Sequence, residues 1–120
     1  MRRVDGKGDC YQAAYNAAQG AYDALAAWPD DQRKVFLVHG DVIPPSGASA
    51  GKRIGHAWVE VDDRVMERSN GQDCRVSRDS YYRRFQARPR FRYSPEEANL
   101  KLLLTGHYGP WDVDTSEPTP

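Results

Sequence analysis

The chain has 120 residues, enough for one domain around a single small core. Lys+Arg and Asp+Glu both number 17, so the formal net charge is zero, which argues against a protein held on nucleic acid by bulk charge. No apolar run approaches the roughly 18–20 residues of a membrane span, Met1 to Gly6 lacks the apolar core of a signal peptide, and two cysteines make no disulfide framework, so a cytoplasmic, reducing setting is expected.

The first predicted element is a helix from Asp9 to Trp28. Asp9 reads as its N-cap with Gln12 at N3, a variant capping box. Ala14, Ala18, Ala21, Leu25 and Trp28 fall on one face, and Pro29 ends the helix. Lys34 to His39 is a compact β-rich run and reads as a buried strand. Residues 41–55 hold two prolines and three glycines and predict a long surface loop, a candidate wall for a cleft. His56 to Val61 alternates: Ala57, Val59 and Val61 face one way, His56, Trp58 and Glu60 the other. Asp62-Asp63 turns the chain into a strand over Arg64 to Ser69, and Asn70-Gly71 is a second turn signal. A short helix over Tyr81 to Phe85, capped by Ser77 or Asp79, precedes a strand over Arg90 to Tyr93 that Pro89 assigns to a sheet edge. Ser94-Pro95-Glu96-Glu97 opens a last helix, with Leu100, Leu103 and Leu104 as its anchors and Gly106 as its stop. The order α-β-β-β-α-β-α predicts an α+β domain over residues 1–111, with a mainly antiparallel sheet, and an acidic disordered tail over 112–120.

Chemistry concentrates at Cys10. Backbone N–H groups and the dipole at a helix start stabilise an anion, so a thiol there is a competent nucleophile. A nucleophilic cysteine needs a base, and His56 at the start of its strand is the candidate. A third group must hold the second ring nitrogen. The following strand offers Glu67, then Asn70, within reach across a hairpin. The bland alternatives are a small buried cysteine and a structural histidine.

Gly8-Asp9-Cys10-Tyr11 opening a helix, then Gly55-His56-Ala57-Trp58-Val59-Glu60-Val61, then Val65-Met66-Glu67-Arg68-Ser69, resembles the papain-like superfamily, with the transglutaminase-like branch the nearest. The resemblance covers about residues 8–71. It implies a helix carrying the cysteine packed on a small antiparallel sheet, and a thiol-protease-like hydrolase or acyltransferase. Cys10 takes the position of nucleophile, His56 of general base and acid, and Glu67 of the orienting Asp. Asn70 is the papain-style alternative; Glu67 is preferred because its strand matches in place, whereas Asn70-Gly71 reads as a turn. Trp58 and Tyr11, beside the histidine and the cysteine, are the candidate substrate-binding aromatics. The substrate implied is a protein or peptide-like amide, isopeptide or thioester, with no organic cofactor and no metal. Val38-His39-Gly40 and the run from Gly106 to Trp111 also resemble small bacteriophage and actinobacterial proteins, which implies an origin rather than an activity.

Three other patterns compete. Gly47-Ala48-Ser49-Ala50-Gly51 matches a nucleophile elbow by letters, but two prolines precede it and a strand follows it. His39, His56, His107, Cys10 and Cys74 lack metal-ligand spacing. The arginines and aromatics interleaved from Tyr81 to Tyr93 suit single-stranded nucleic acid, yet also suit a core with a solvated face; zero net charge favours the latter. The functional alternatives to an enzyme are a binding module, such as a phage inhibitor of a host protein, and a single-strand binder.

Overall fold

The computed structural model describes residues 9–28, 30, 33–67 and 74–112. Pro29, the Asn70-Gly71 turn and the tail beyond 112 lie outside them. The elements are α1 (Asp9–Ala26), β1 (Val35–Val42), β2 (Ile54–Val61), β3 (Arg64–Glu67), β4 (Cys74–Ser77), α2 (Arg78–Phe85), β5 (Arg88–Tyr93) and α3 (Pro95–Thr105). The expected α+β class holds, with one strand more than predicted. The sheet order is β4-β3-β2-β1-β5, and every pairing is antiparallel.

The sheet is covered on both faces. The alternation of β2 sends Ala57, Val59 and Val61 to a core shared with Leu37 of β1, with Ala14, Tyr15, Ala17 and Ala18 of α1, and with Ala98 of α3. Alanine at these helix positions lets α1 lie close on the strands. The opposite face carries Val38, Val42, Trp58 and Val65 under Tyr81 of α2. Gly40 sits in β1 where the β1–β5 register shifts; a Cβ there would overlap the Arg88 carbonyl oxygen and stand 3.0 Å from the Trp58 ring. Only glycine fits that approach.

Several predicted boundaries move. Asp9, expected as N-cap, is already helical, so Cys10 stands one residue further into the first turn. Trp28 is exposed beyond the helix end, not on its buried face. β1 runs on to Val42, whose side chain is buried, so the long loop shortens to residues 43–53. That loop carries its own hydrogen bonds, Ala50 to Gly47 and Gly51 to Pro44, with positive φ at Gly47 and Gly51. No strand-turn-helix elbow surrounds Ser49.

Ser77 is the cap of α2: its side chain accepts from the Ser80 amide. Ser94 and Glu97 form the reciprocal capping box of α3, and Gly106 ends it in the left-handed region. The expected anchors of α3 need correction. Leu100, Leu103 and Leu104 are exposed, and the helix rests instead on Pro95, Ala98 and, in part, Leu102. Four leucines in five residues cover more than one helix face, and the small Ala98 lets the backbone approach closest on its own side. Asp112, expected in the tail, accepts from Tyr93 Oη at 2.5 Å and from Lys101 Nζ at 3.0 Å. Among the described residues, no helix is long and apolar enough to cross a membrane.

Candidate active site

The first turn of α1 meets the start of β2 at Gly55. A Cβ on Gly55 would stand 3.0 Å from Tyr11 Oη, so any larger residue before His56 would make the tyrosine tip shift by a few tenths of an ångström. Cys10, its thiol outside any disulfide and the residue only 6 % exposed, there hydrogen-bonds the His56 ring. On the other side of that ring, His56 Nε2 and Glu67 Oε2 are 2.7 Å apart.

The β2–β3 register explains the second contact. Glu60 pairs with Val65 and Val59 with Met66. One step further along the ladder Glu67 comes opposite Trp58, so it reaches His56 on the diagonal. Such diagonal neighbours are about 7–8 Å apart at Cα, a gap that a glutamate and an imidazole together span.

The electrostatics follow from this placement. His56 and Glu67 side chains are 12 % and 13 % exposed. Burial opposes the imidazolium, but the hydrogen bonds and negative charge of Cys10 and Glu67 outweigh it and lift the His56 pKa from 6.5 to about 9. Glu67 is held at its second oxygen too: Tyr81 Oη donates to Oε1. From sequence, Tyr81 reads only as a core aromatic of a short helix, and nothing in its own element marks it as part of the site.

Of the other predicted site residues, Tyr11 lies beside the thiol. Burial, then the negative charges of Cys10 and Asp41, pushes its hydroxyl up to about 12. Trp58 does not fit a substrate-binding role: it is fully buried, stacked 6.4 Å from the His56 ring, with its indole N–H on Glu60 Oε2 at 3.2 Å. α2 covers the strand face that carries it. Asn70 lies outside the described residues. Cys74 stands directly across from Glu67 in the β3–β4 ladder.

The arginine-aromatic run divides between two elements, and its three strand arginines meet carboxylates, while Arg84 lies over the Phe85 ring. Arg88 and Arg90 reach Asp41, as does Arg53, at 2.9, 3.1 and 2.5 Å. Arg92 reaches the buried Glu60 at 3.2 Å, where Tyr82 also donates. Among the described residues, no group of three or more His, Cys, Asp or Glu is placed to hold a metal ion.

His39 is the other buried imidazole. It is 3 % exposed, neither ring nitrogen has a hydrogen-bond partner among the described residues, and burial drives its pKa down to about 4. Its ring is packed by Tyr11, Tyr93 and Trp111 at centroid distances of 4.9, 5.1 and 4.9 Å. It is therefore a neutral packing element near neutral pH.

A groove of about 440 Å³ lies at the far end of α1, lined by Tyr22, Trp28, Lys34, Phe36, Pro95 and Glu96 among others. None of the candidate site residues lines it. The chemistry at Cys10 is the stronger pointer, since a groove without reactive groups explains no reaction. No protein-family model, curated protein or solved structure matches this chain.

Proposed function

We propose that the protein is a cysteine-dependent acyl-transfer enzyme of papain-like or transglutaminase-like fold. The observation that carries the reading is the contact of a helix-start thiol with an imidazole whose Nε2 lies 2.7 Å from a carboxylate oxygen. With the proton of the Cys10–His56 pair already on the imidazole near neutral pH, the Sγ thiolate attacks the carbonyl carbon of an amide, isopeptide or thioester. The tetrahedral oxyanion collapses, the leaving amine or thiolate takes the proton from His56, and an acyl-thioester remains on Cys10. The now neutral His56 takes a proton from water or an amine as it attacks that thioester, the sulfur leaves, and the thiolate–imidazolium pair is restored. Glu67 stays ionised throughout; it orients the ring and stabilises the imidazolium.

The test is to incubate the protein with small acyl thioesters and peptide amides and to measure its intact mass. An acyl adduct mapped to Cys10, absent in Cys10→Ala and slowed in His56→Ala, supports the proposal. Iodoacetamide should likewise label Cys10 faster than Cys74 near neutral pH, and His56→Ala should remove that preference. Equal labelling of both thiols together with no adduct refutes it. A second reading, a binding module without catalysis, is favoured by the low exposure of Cys10 and by the outward Leu100, Leu103 and Leu104. It predicts that Cys10→Ala keeps every function of the chain.

A further inference from the structure

We infer that Tyr81 is a positioning residue of this site: its hydroxyl, donating to Glu67 Oε1, fixes the carboxylate so that Oε2 stays on His56 Nε2. The inference rests on the acyl-transfer reading and adds a residue that the cysteine-histidine-carboxylate set does not contain.

A glutamate carboxylate turns about a broad terminal torsion, so one hydrogen bond at one oxygen leaves its plane poorly defined. A second donor at the other oxygen defines it. Tyr81 supplies that donor from a rigid position. The residue is 1 % exposed, with its ring 5.6 Å from Trp58 and 4.7 Å from Phe85. Trp58 in turn stacks 6.4 Å from the His56 ring. The aromatic row therefore runs along the sheet face beside the imidazole and the carboxylate, and holds the phenol in place.

The backbone explains why the tyrosine arrives there. β4 pairs with β3 in a register that sets Cys74 across from Glu67 and Val76 across from Val65. Ser77 then caps α2 at once, which turns the chain back over β3. Tyr81, one turn into α2, comes down above the strand that carries Glu67. As a donor to an anion it also favours the ionised carboxylate that the imidazolium needs.

Tyr81→Phe tests this, because it removes the hydroxyl and keeps the ring that packs on Trp58 and Phe85. The readout is the NMR titration of the His56 ring, in the otherwise unchanged protein and in a Glu67→Gln background. A residue acting through Glu67 should lower the His56 midpoint by about one pH unit in the first and leave it unmoved in the second. The high-pH limb of Cys10 alkylation should shift with it. An unmoved midpoint, or an equal shift in both backgrounds, overturns the inference, since a purely structural tyrosine acts the same whether or not the carboxylate is present. The two proposals fail separately. A shifted midpoint without an acyl adduct on Cys10 keeps the positioning role and removes the enzyme; an adduct with an unmoved midpoint does the reverse.

Discussion

Glu67→Gln is the substitution that separates a charge from a shape. The amide side chain would keep the length and one acceptor oxygen and would lose the anion. His56 titrates at about 9 against an ordinary 6.5, because Cys10 and Glu67 together overcome its burial. The corresponding difference in proton affinity between folded and unfolded chain is about 3 kcal/mol. A raised histidine pKa means that the folded state holds a proton the unfolded state has lost. That contribution is complete below about pH 6.5 and is given up as pH rises through about 9. The wild-type protein should therefore lose roughly 3 kcal/mol of unfolding free energy across this interval from His56 alone. In Glu67→Gln the burial that opposes the imidazolium remains while one of its anions is gone, so the midpoint should fall by about two pH units. The slope of stability with pH should flatten accordingly. Ring-proton NMR gives the midpoint, and urea unfolding at a series of pH values gives the slope. A Glu67→Gln midpoint still near 9 would refute the reasoning and give the orienting role to another group.

Two further outcomes follow from other parts of the fold. His39 is buried neutral, with its pKa lowered to about 4 chiefly by burial, so its sign is opposite. Stability should fall as pH drops from about 6.5, by about 2 kcal/mol on reaching about pH 5, and His39→Phe should abolish that part of the fall; an unchanged acid limb in the variant would exclude His39 as its source. At Gly40, an added methyl runs into the Arg88 carbonyl oxygen, a backbone atom that cannot swing aside. Gly40→Ala should cost about 3 kcal/mol or more in chemical denaturation, and a loss below about 1 kcal/mol would mean that β5 simply moves off β1.

What is legible in the sequence depends on whether a residue's environment lies within its own element. The alanine face of α1 and the alternation of β2 each encode a burial pattern locally, and both fold as read. The reciprocal Ser94–Glu97 cap is likewise local. β4 is not legible: Cys-Arg-Val-Ser has one aliphatic residue in four positions, too short a run to show a period of two. The exposed leucines of α3 show the complementary gap. Periodicity names a face, but only the neighbours decide which face is covered.

The unread β4 accounts for the other departures near the site. Without it, the Tyr81 helix has no reason to lie over β3, and the His56-Trp58-Glu60 side of β2 looks like an open wall for substrate. With β4 paired to β3 and Ser77 turning the chain into α2, that side becomes a second core. Trp58 is buried by it, and Glu60 takes Tyr82 and Arg92 as partners. The same roof brings the Tyr81 hydroxyl to Glu67. The end of the strand, where Gly55 lies against the Tyr11 hydroxyl and His56 meets Cys10, stays close to the thiol. On the acyl-transfer proposal, a substrate would reach Cys10 from the Tyr11 and Gly55 end of the sheet rather than across the buried Trp58. A bulky Gly55→Val substitution, facing Tyr11 Oη at 3.0 Å, should push the helix start away and slow Cys10 alkylation at least about tenfold while leaving the Trp58 core intact. Unchanged thiol reactivity in Gly55→Val, read beside an unaltered Trp58 fluorescence spectrum, would place the entrance elsewhere.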